Sequence, residues 1–323
     1  MSANEGTKAV VAALCANLGI AVTKFVAWAI TGASSMLAEA IHSVADSGNQ
    51  LLLLIGARRS RREATPEHPF GFGRERYIYA FIVAIVLFSV GGLFALYEAY
   101  HKYEEVHEGH PNELLESDWW WVPLVVLGAA IVMESLSFRT AIRESNKVRA
   151  DATWPQFVRA AKAPELPVVL LEDLAALLGL VFAFVGISLA LLTDNAYWDV
   201  AGTVAIGLLL VCVAVSLAIE TKSLLLGESA SPRAIRAIRT AIEETPGIER
   251  IIHLKTLHLG PDELLVAAKI AVEHDESADT VASRIDAAEA AIRAAEPMAE
   301  LIYLEPDIYR EAAAARRSSE RLS

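Results

Sequence analysis

The stretch Ser35-Met-Leu-Ala-Glu-Ala-Ile-His42-Ser-Val-Ala-Asp46-Ser-Gly-Asn-Gln-Leu-Leu-Leu-Leu54 decides how this chain is read. It is long and apolar enough to suggest a membrane helix, yet it holds a histidine and an aspartate four residues apart. A second aspartate, Asp173, interrupts another apolar stretch. An ionisable side chain at the centre of a membrane helix costs about 3 kcal/mol on insertion scales, so it persists where a partner or an ion meets it. The pattern points to movement of a cation.

The chain of 323 residues is 54% hydrophobic with a mean hydropathy of +0.39, above an ordinary soluble domain. Six windows, near residues 9 to 31, 35 to 57, 77 to 99, 119 to 142, 166 to 192 and 197 to 219, are each long enough to cross about 30 Å of hydrocarbon. An α-helical membrane protein of six transmembrane helices is the expectation, with a transmembrane domain over 1–226. No small-residue cleavage site follows the first window, so it reads as a retained span.

Basic residues fix the expected orientation. Arg58, Arg59, Arg61, Arg62, Arg74 and Arg76 follow the second span, and Arg143, Lys147, Arg149, Arg159 and Lys162 lie between the fourth and fifth. The opposite connections hold only Lys102, which places both termini in the cytoplasm. The formal net charge of −12 gives no reason to expect a nucleic-acid partner. Cys15 and Cys212 fall within apolar windows and read as small buried hydrophobes, not a disulfide.

After residue 226 the pattern becomes soluble. Ser231-Pro232 is an N-cap followed by proline at the first helical position, and the helix stops at Pro246-Gly247. Apolar runs Ile248 to Leu259 and Glu263 to Val272 flank Gly260-Pro261 as a strand pair. A helix from Asp279 and a strand from Glu300 complete an αββαβ order, a small two-layer α+β domain over 227–310. Residues 311–323 form a flexible tail.

Positions i and i+4 share one helix face, so His42 and Asp46 can meet one ion. At about 1.5 Å per residue, Asp46 lies roughly 12 Å, Asp173 roughly 11 Å, Asn17 roughly 12 Å and Glu134 roughly 8 Å from the inner boundary. The expected metal ligands are His42, Asp46 and Asp173. Glu172, Glu134 and Asn17 are candidates for a fourth ligand or a proton relay. Lys24 either snorkels to the outer interface or neutralises Glu39. A membrane metallohydrolase is disfavoured, because no His-Glu-x-x-His or comparable second histidine motif occurs.

Together these residues resemble the cation diffusion facilitators, and within them the branch of a mammalian mitochondrial zinc transporter. The resemblance runs through Asn17 and Lys24, the Ser35 to Gln50 block, His68-Pro-Phe-Gly-Phe-Gly-Arg74, Leu170-Leu-Glu-Asp173-Leu-Ala-Ala and Pro246-Gly247-Ile. It implies a homodimer formed through a cytoplasmic, ferredoxin-like C-terminal domain, and efflux of a divalent cation, zinc first, in exchange for protons. The metal is then cargo and no resident cofactor is expected. Zinc-exporting relatives place a histidine where Val169 stands, which removes one ligand. Glu172, about 100° around the helix from Asp173, and Glu134 remain the substitutes. A site reduced to oxygen ligands drifts toward manganese or iron(II), and the lost ligand also admits a transport-inactive scaffold. Phe72 replaces a second loop histidine beside His68, and Ile252, Ala268 and Tyr303 replace histidines in the C-terminal domain, leaving Glu305. His253, His258 and His274 lack paired spacing. The run His101, His107 and His110 with Glu104, Glu105 and Glu108 reads as a solvated loop. The alanine- and arginine-rich composition suggests a bacterial plasma membrane.

Overall fold

The computed structural model describes residues 18–109, 118–149 and 151–310; Cys15, Asn17, His110 and the tail from residue 311 lie outside them. The chain forms two compact units, Met1–Arg61 with Glu75–Lys222, and Arg62–Arg74 with Ser223–Ser323.

The first unit contains α1 (Leu18–Thr31), α2 (Ser34–Arg59), α3 (Glu75–His107), α4 (Trp121–Arg149), the short α5 (Trp154–Ala160), α6 (Glu165–Thr193) and α7 (Tyr197–Leu226). Its core is aliphatic, with Met36, Leu87, Leu127, Leu180, Ile187, Ile206, Leu210 and Leu217 essentially sealed. The outward faces are apolar too, as Val132, Leu136, Val185, Leu192, Leu208 and Ile219 show. Helices that are apolar inside and out belong in lipid, where their backbone groups are satisfied within each helix. The chain is a multi-pass membrane protein.

The expectation of six transmembrane helices needs correction. Among the described residues four helices are long and apolar enough to cross a membrane, namely α3, α4, α6 and α7, with 33, 29, 29 and 30 residues. The described part of α1 is a shorter apolar helix. α2 is 26 residues long, but Glu39, His42, Asp46, Asn49, Gln50, Arg58 and Arg59 dilute its hydropathy. The side chains that make α2 interesting remove it from the set.

Close helix crossings rest on small residues, as expected where lipid supplies no hydrophobic drive. A Cβ on Gly186 of α6 would lie 2.9 Å from the Trp198 carbonyl oxygen, and one on Gly202 of α7 would lie 3.0 Å from that of Phe182. Within α3 the segment Leu87–Leu93 is a π-helical turn. Such turns widen a helix locally and recur near functional sites. A Cβ on its Gly91 would lie 3.9 Å from His42 Nδ1.

The second unit contains α8 (Pro232–Glu243), β1 (Arg250–Gly260), β2 (Glu263–Ala271), α9 (Ala278–Ala295) and β3 (Ala299–Asp307). Ser231 caps α8 by accepting from the Ala234 amide at 3.2 Å, with Pro232 at the first helical position. Leu264, Val266, Ala268 and Ile270 alternate inward along β2 and meet Ile238, Ile242, Ala288 and Ile292 of the two helices. The ferredoxin-like expectation is also corrected, because the sheet is three-stranded and mixed. β1 pairs antiparallel with β2, and β2 pairs parallel with β3. The strands joined by a tight turn must run antiparallel, whereas those joined through α9 can run parallel. The segment Arg62–Arg74 packs in this unit. A Cβ on Gly73 would meet Glu263 Oε2 at 2.8 Å and the Leu259 carbonyl at 2.9 Å, and Phe72 sits under Arg62 and against the edge of His68.

Candidate transport cavity

Four helices contribute side chains at helical spacing to one small polar cavity. α1 supplies Ile20 and Lys24; α2 supplies Ser43, Asp46 and Gln50; α4 supplies Ala130, Met133, Glu134 and Ser137; α6 supplies Glu172, Asp173 and Leu180. Offsets of three, four and seven residues keep each set on one face. The cavity measures about 90 Å³. A water molecule's share of the liquid is about 30 Å³, so a metal ion or a few waters fit and an organic solute does not.

Its lining holds four carboxylates and one amine. Asp46 lies 3.4 Å from His42, Oδ1 to Nδ1, and shares the cavity wall with Glu172. Glu172 Oε1 accepts from Asn49 Nδ2 at 2.6 Å, and Asp173 Oδ2 accepts from Ser137 Oγ at 3.0 Å. Lys24 Nζ donates to Glu39 Oε2 at 3.0 Å and to Ser43 Oγ at 2.7 Å. Buried polar groups are normally paired. Here both ring nitrogens of His42, Asp46 Oδ1 and Glu39 Oε1 are buried without a hydrogen-bond partner.

The structure therefore brings Asp46, Asp173, Glu172 and Glu134 to one cavity. His42, 1% exposed, is not among the residues lining it, and reaches it only through Asp46. Asn17 lies outside the described residues. Among the described residues no three histidine, cysteine, aspartate or glutamate side chains converge as a metal-binding group. The pairing of Lys24 with Glu39 settles one expectation in favour of neutralisation.

Sequence reasoning missed Asn49 and Ser137, whose offsets of three from Asp46 and Glu134 were the available signal. It also missed Asp199. The N-cap position of α2 is Ala33, which offers no side-chain cap. Asp199 of α7 caps it from another helix, Oδ2 accepting from the Ser34 amide at 3.0 Å and Ser34 Oγ at 3.1 Å, with a short contact from Ser35 Oγ to Oδ1. A carboxylate at a helix N-terminus answers the unpaired amides and the dipole together.

Comparison with known proteins bears on this arrangement. The proton-coupled zinc antiporter SLC30A9, mitochondrial, of Xenopus laevis is 32% identical over 265 residues, covering 81% of this chain and 46% of that protein. The human protein of the same name is 31% identical, covering 81% and 45%. The chain thus spans about half the length of these relatives. A solved MamM C-terminal domain in a nickel form is 19% identical and covers 24% of this chain and 96% of its own, at a TM-score of 0.23. The expectation of a bacterial plasma membrane is corrected by these matches, since both relatives are named as mitochondrial proteins of animals. Alanine and arginine content is a compositional trait and carries no membrane address. The model of the cation efflux transmembrane domain matches residues 10–226, and the chain belongs to this family of membrane transporters, the cation diffusion facilitators, and not to a family of enzymes.

Proposed function

We propose that this chain carries a divalent cation, zinc first, across a membrane in exchange for protons, with the cavity between α1, α2, α4 and α6 as the transport site. The observation that carries the reading is the small cavity itself, sized for an ion and lined by Asp46, Glu134, Glu172 and Asp173. His42, Asp46 and Asp173 are the proposed ligands, with Glu172 and Glu134 as fourth ligand or proton relay. His42, buried and without a hydrogen-bond partner, has a lone pair free to coordinate an ion held by Asp46 once a small rotation of α2 turns the ring toward it.

Proton exchange follows from the same groups. A metal requires its ligands deprotonated, so loading releases protons and protonation releases metal. The names of the relatives support zinc and proton coupling. A second reading, manganese or iron(II), has its own support, because the cavity lining offers oxygen donors and no imidazole. Residues 1–226 as the transport domain, and a homodimer formed through 227–310, belong to the same proposal.

The test is flux into proteoliposomes under an imposed pH gradient, with zinc, manganese, iron, cobalt and cadmium compared. Saturable flux that follows the gradient is expected. Folded protein that moves none of these ions would instead be a scaffold.

A further inference from the structure

We infer that Lys24 is a tethered cation of the transport cavity, which weakens the hold on a divalent ion and so lets it leave. The inference rests on the reading of that cavity as the transport site.

Lysine is among the residues least often fully buried, yet Lys24 is 3% exposed and Glu39 is 0% exposed. Three acceptors satisfy the Lys24 amine, Glu39 Oε2 at 3.0 Å, Ser43 Oγ at 2.7 Å and the Glu39 carbonyl at 3.4 Å. All three come from α2, so the amine is held in place without help from an ion. From that position it lines the cavity alongside Asp46, Glu134, Glu172 and Asp173.

The counter-anion is built in with equal care. Glu39 is not among the residues lining the cavity, and its Oε1 lies 2.6 Å from where a Cβ on Gly179 of α6 would be. The absent side chain at Gly179 makes the room for this carboxylate. Positive charge is thus presented to the cavity and its partner is set behind it. A pair that served only to join α1 to α2 is replaceable by apolar packing at little loss, often with a gain. It would also have no cause to border the four carboxylates.

Electrostatics gives the sign. Four carboxylates in a small low-dielectric cavity would hold a divalent cation tightly, and a fixed positive charge on the same wall opposes this. Lys24 is a positioning residue in this scheme. It sets affinity and turnover without ligating.

Zinc binding to the purified full chain, measured by calorimetry, and zinc flux in proteoliposomes test this together. Lys24→Met is expected to bind zinc about tenfold tighter or more while its maximal flux falls, so that KM and kcat drop together. Lys24→Arg, which keeps the charge, should return both toward the wild-type values. The double variant Lys24→Met with Glu39→Gln removes the pair without leaving a lone buried carboxylate, and guards against misfolding of the single one. Unchanged or weaker zinc binding in a folded Lys24→Met or double variant would overturn the inference while leaving the transport site standing. Absence of binding of zinc, manganese and iron(II) alike by folded wild-type protein would overturn both.

Discussion

Asp46 is the residue on which the cavity turns. Its side chain faces His42 at 3.4 Å and borders the space shared with Glu134, Glu172 and Asp173. Asp46→Asn keeps the shape and removes the charge, and zinc flux is expected to fall by about 100-fold or more, since losing even an outer-shell partner of a metal ligand costs about 10–100-fold. Wild-type flux from this variant would remove Asp46 from the ligand set. The i, i+4 spacing of His42 and Asp46 and the matched depth of Asp173 were readable from residue numbers alone. The partners Asn49 and Ser137 carried only the weaker signal of an offset of three, because which neighbour turns inward depends on how far each helix is rotated about its own axis. Polar residues on several faces of α2 leave that rotation unspecified.

At the scale of elements, glycine governs how closely α6 and α7 approach. Gly202 lies within 3.0 Å of the Phe182 carbonyl once a Cβ is added, whereas Gly128 of α4 has nothing within 4 Å. Gly202→Leu is therefore expected to destabilise the protein by about 1–3 kcal/mol through overpacking, and Gly128→Leu to leave it near wild type. Thermal unfolding in detergent compares the two. The helices α3, α4, α6 and α7 were legible because some twenty apolar residues in a row have few other uses. The hydropathy of α2 was over-read, since the same residues that build the cavity dilute it. The parallel pairing of β2 with β3 was hidden because strand neighbours follow from the path of α9 and not from the strand sequences.

That parallel pair carries a second prediction. Lys269 of β2 reaches Glu305 at 2.8 Å and Asp307 at 3.0 Å on β3. Hydrogen bonding to Lys269 holds the Asp307 carboxyl below its ordinary range, and Glu305 followed by Asp307 hold the Lys269 amine above its own. The Asp307 contribution is complete above the ordinary aspartate range and is lost as pH falls through the depressed value. The Lys269 contribution is complete below the ordinary lysine range and is lost as pH rises through the raised one. Lys269→Met should therefore flatten both limbs of a melting-temperature profile and change its shape little near neutrality. A wild-type acid limb in the variant would show that the cluster is decorative.

For the whole molecule, the proposed exchange predicts how flux answers pH. Protons and metal compete for the same donor atoms, so acidifying the release side should speed zinc flux, and acidifying the loading side should slow it. An ionophore that dissipates the proton gradient should abolish the difference. Flux indifferent to pH on both sides would leave a carrier without proton exchange. The family was legible because its motifs are spread through the chain. Membrane address and cargo were not, since neither leaves a local pattern that packing or spacing would reveal.

The segment Arg62–Arg74 belongs with Ser223–Ser323 in one compact unit, with Gly73 pressed against Leu259, Gly260 and Glu263. The polypeptide is thus sewn through its C-terminal part twice, once early and once late. Removing the chain after residue 226 would leave the early stitch without the surface it lies on, so such a truncation exposes the face of Arg62–Arg74 that is covered in the full chain. Conversely, a protease nick introduced near Gly227 should leave the severed fragment attached, held by the loop that threads it. Co-purification of the two pieces after cleavage is the expected result, and clean separation in mild detergent would mean that the early stitch grips too weakly to hold them.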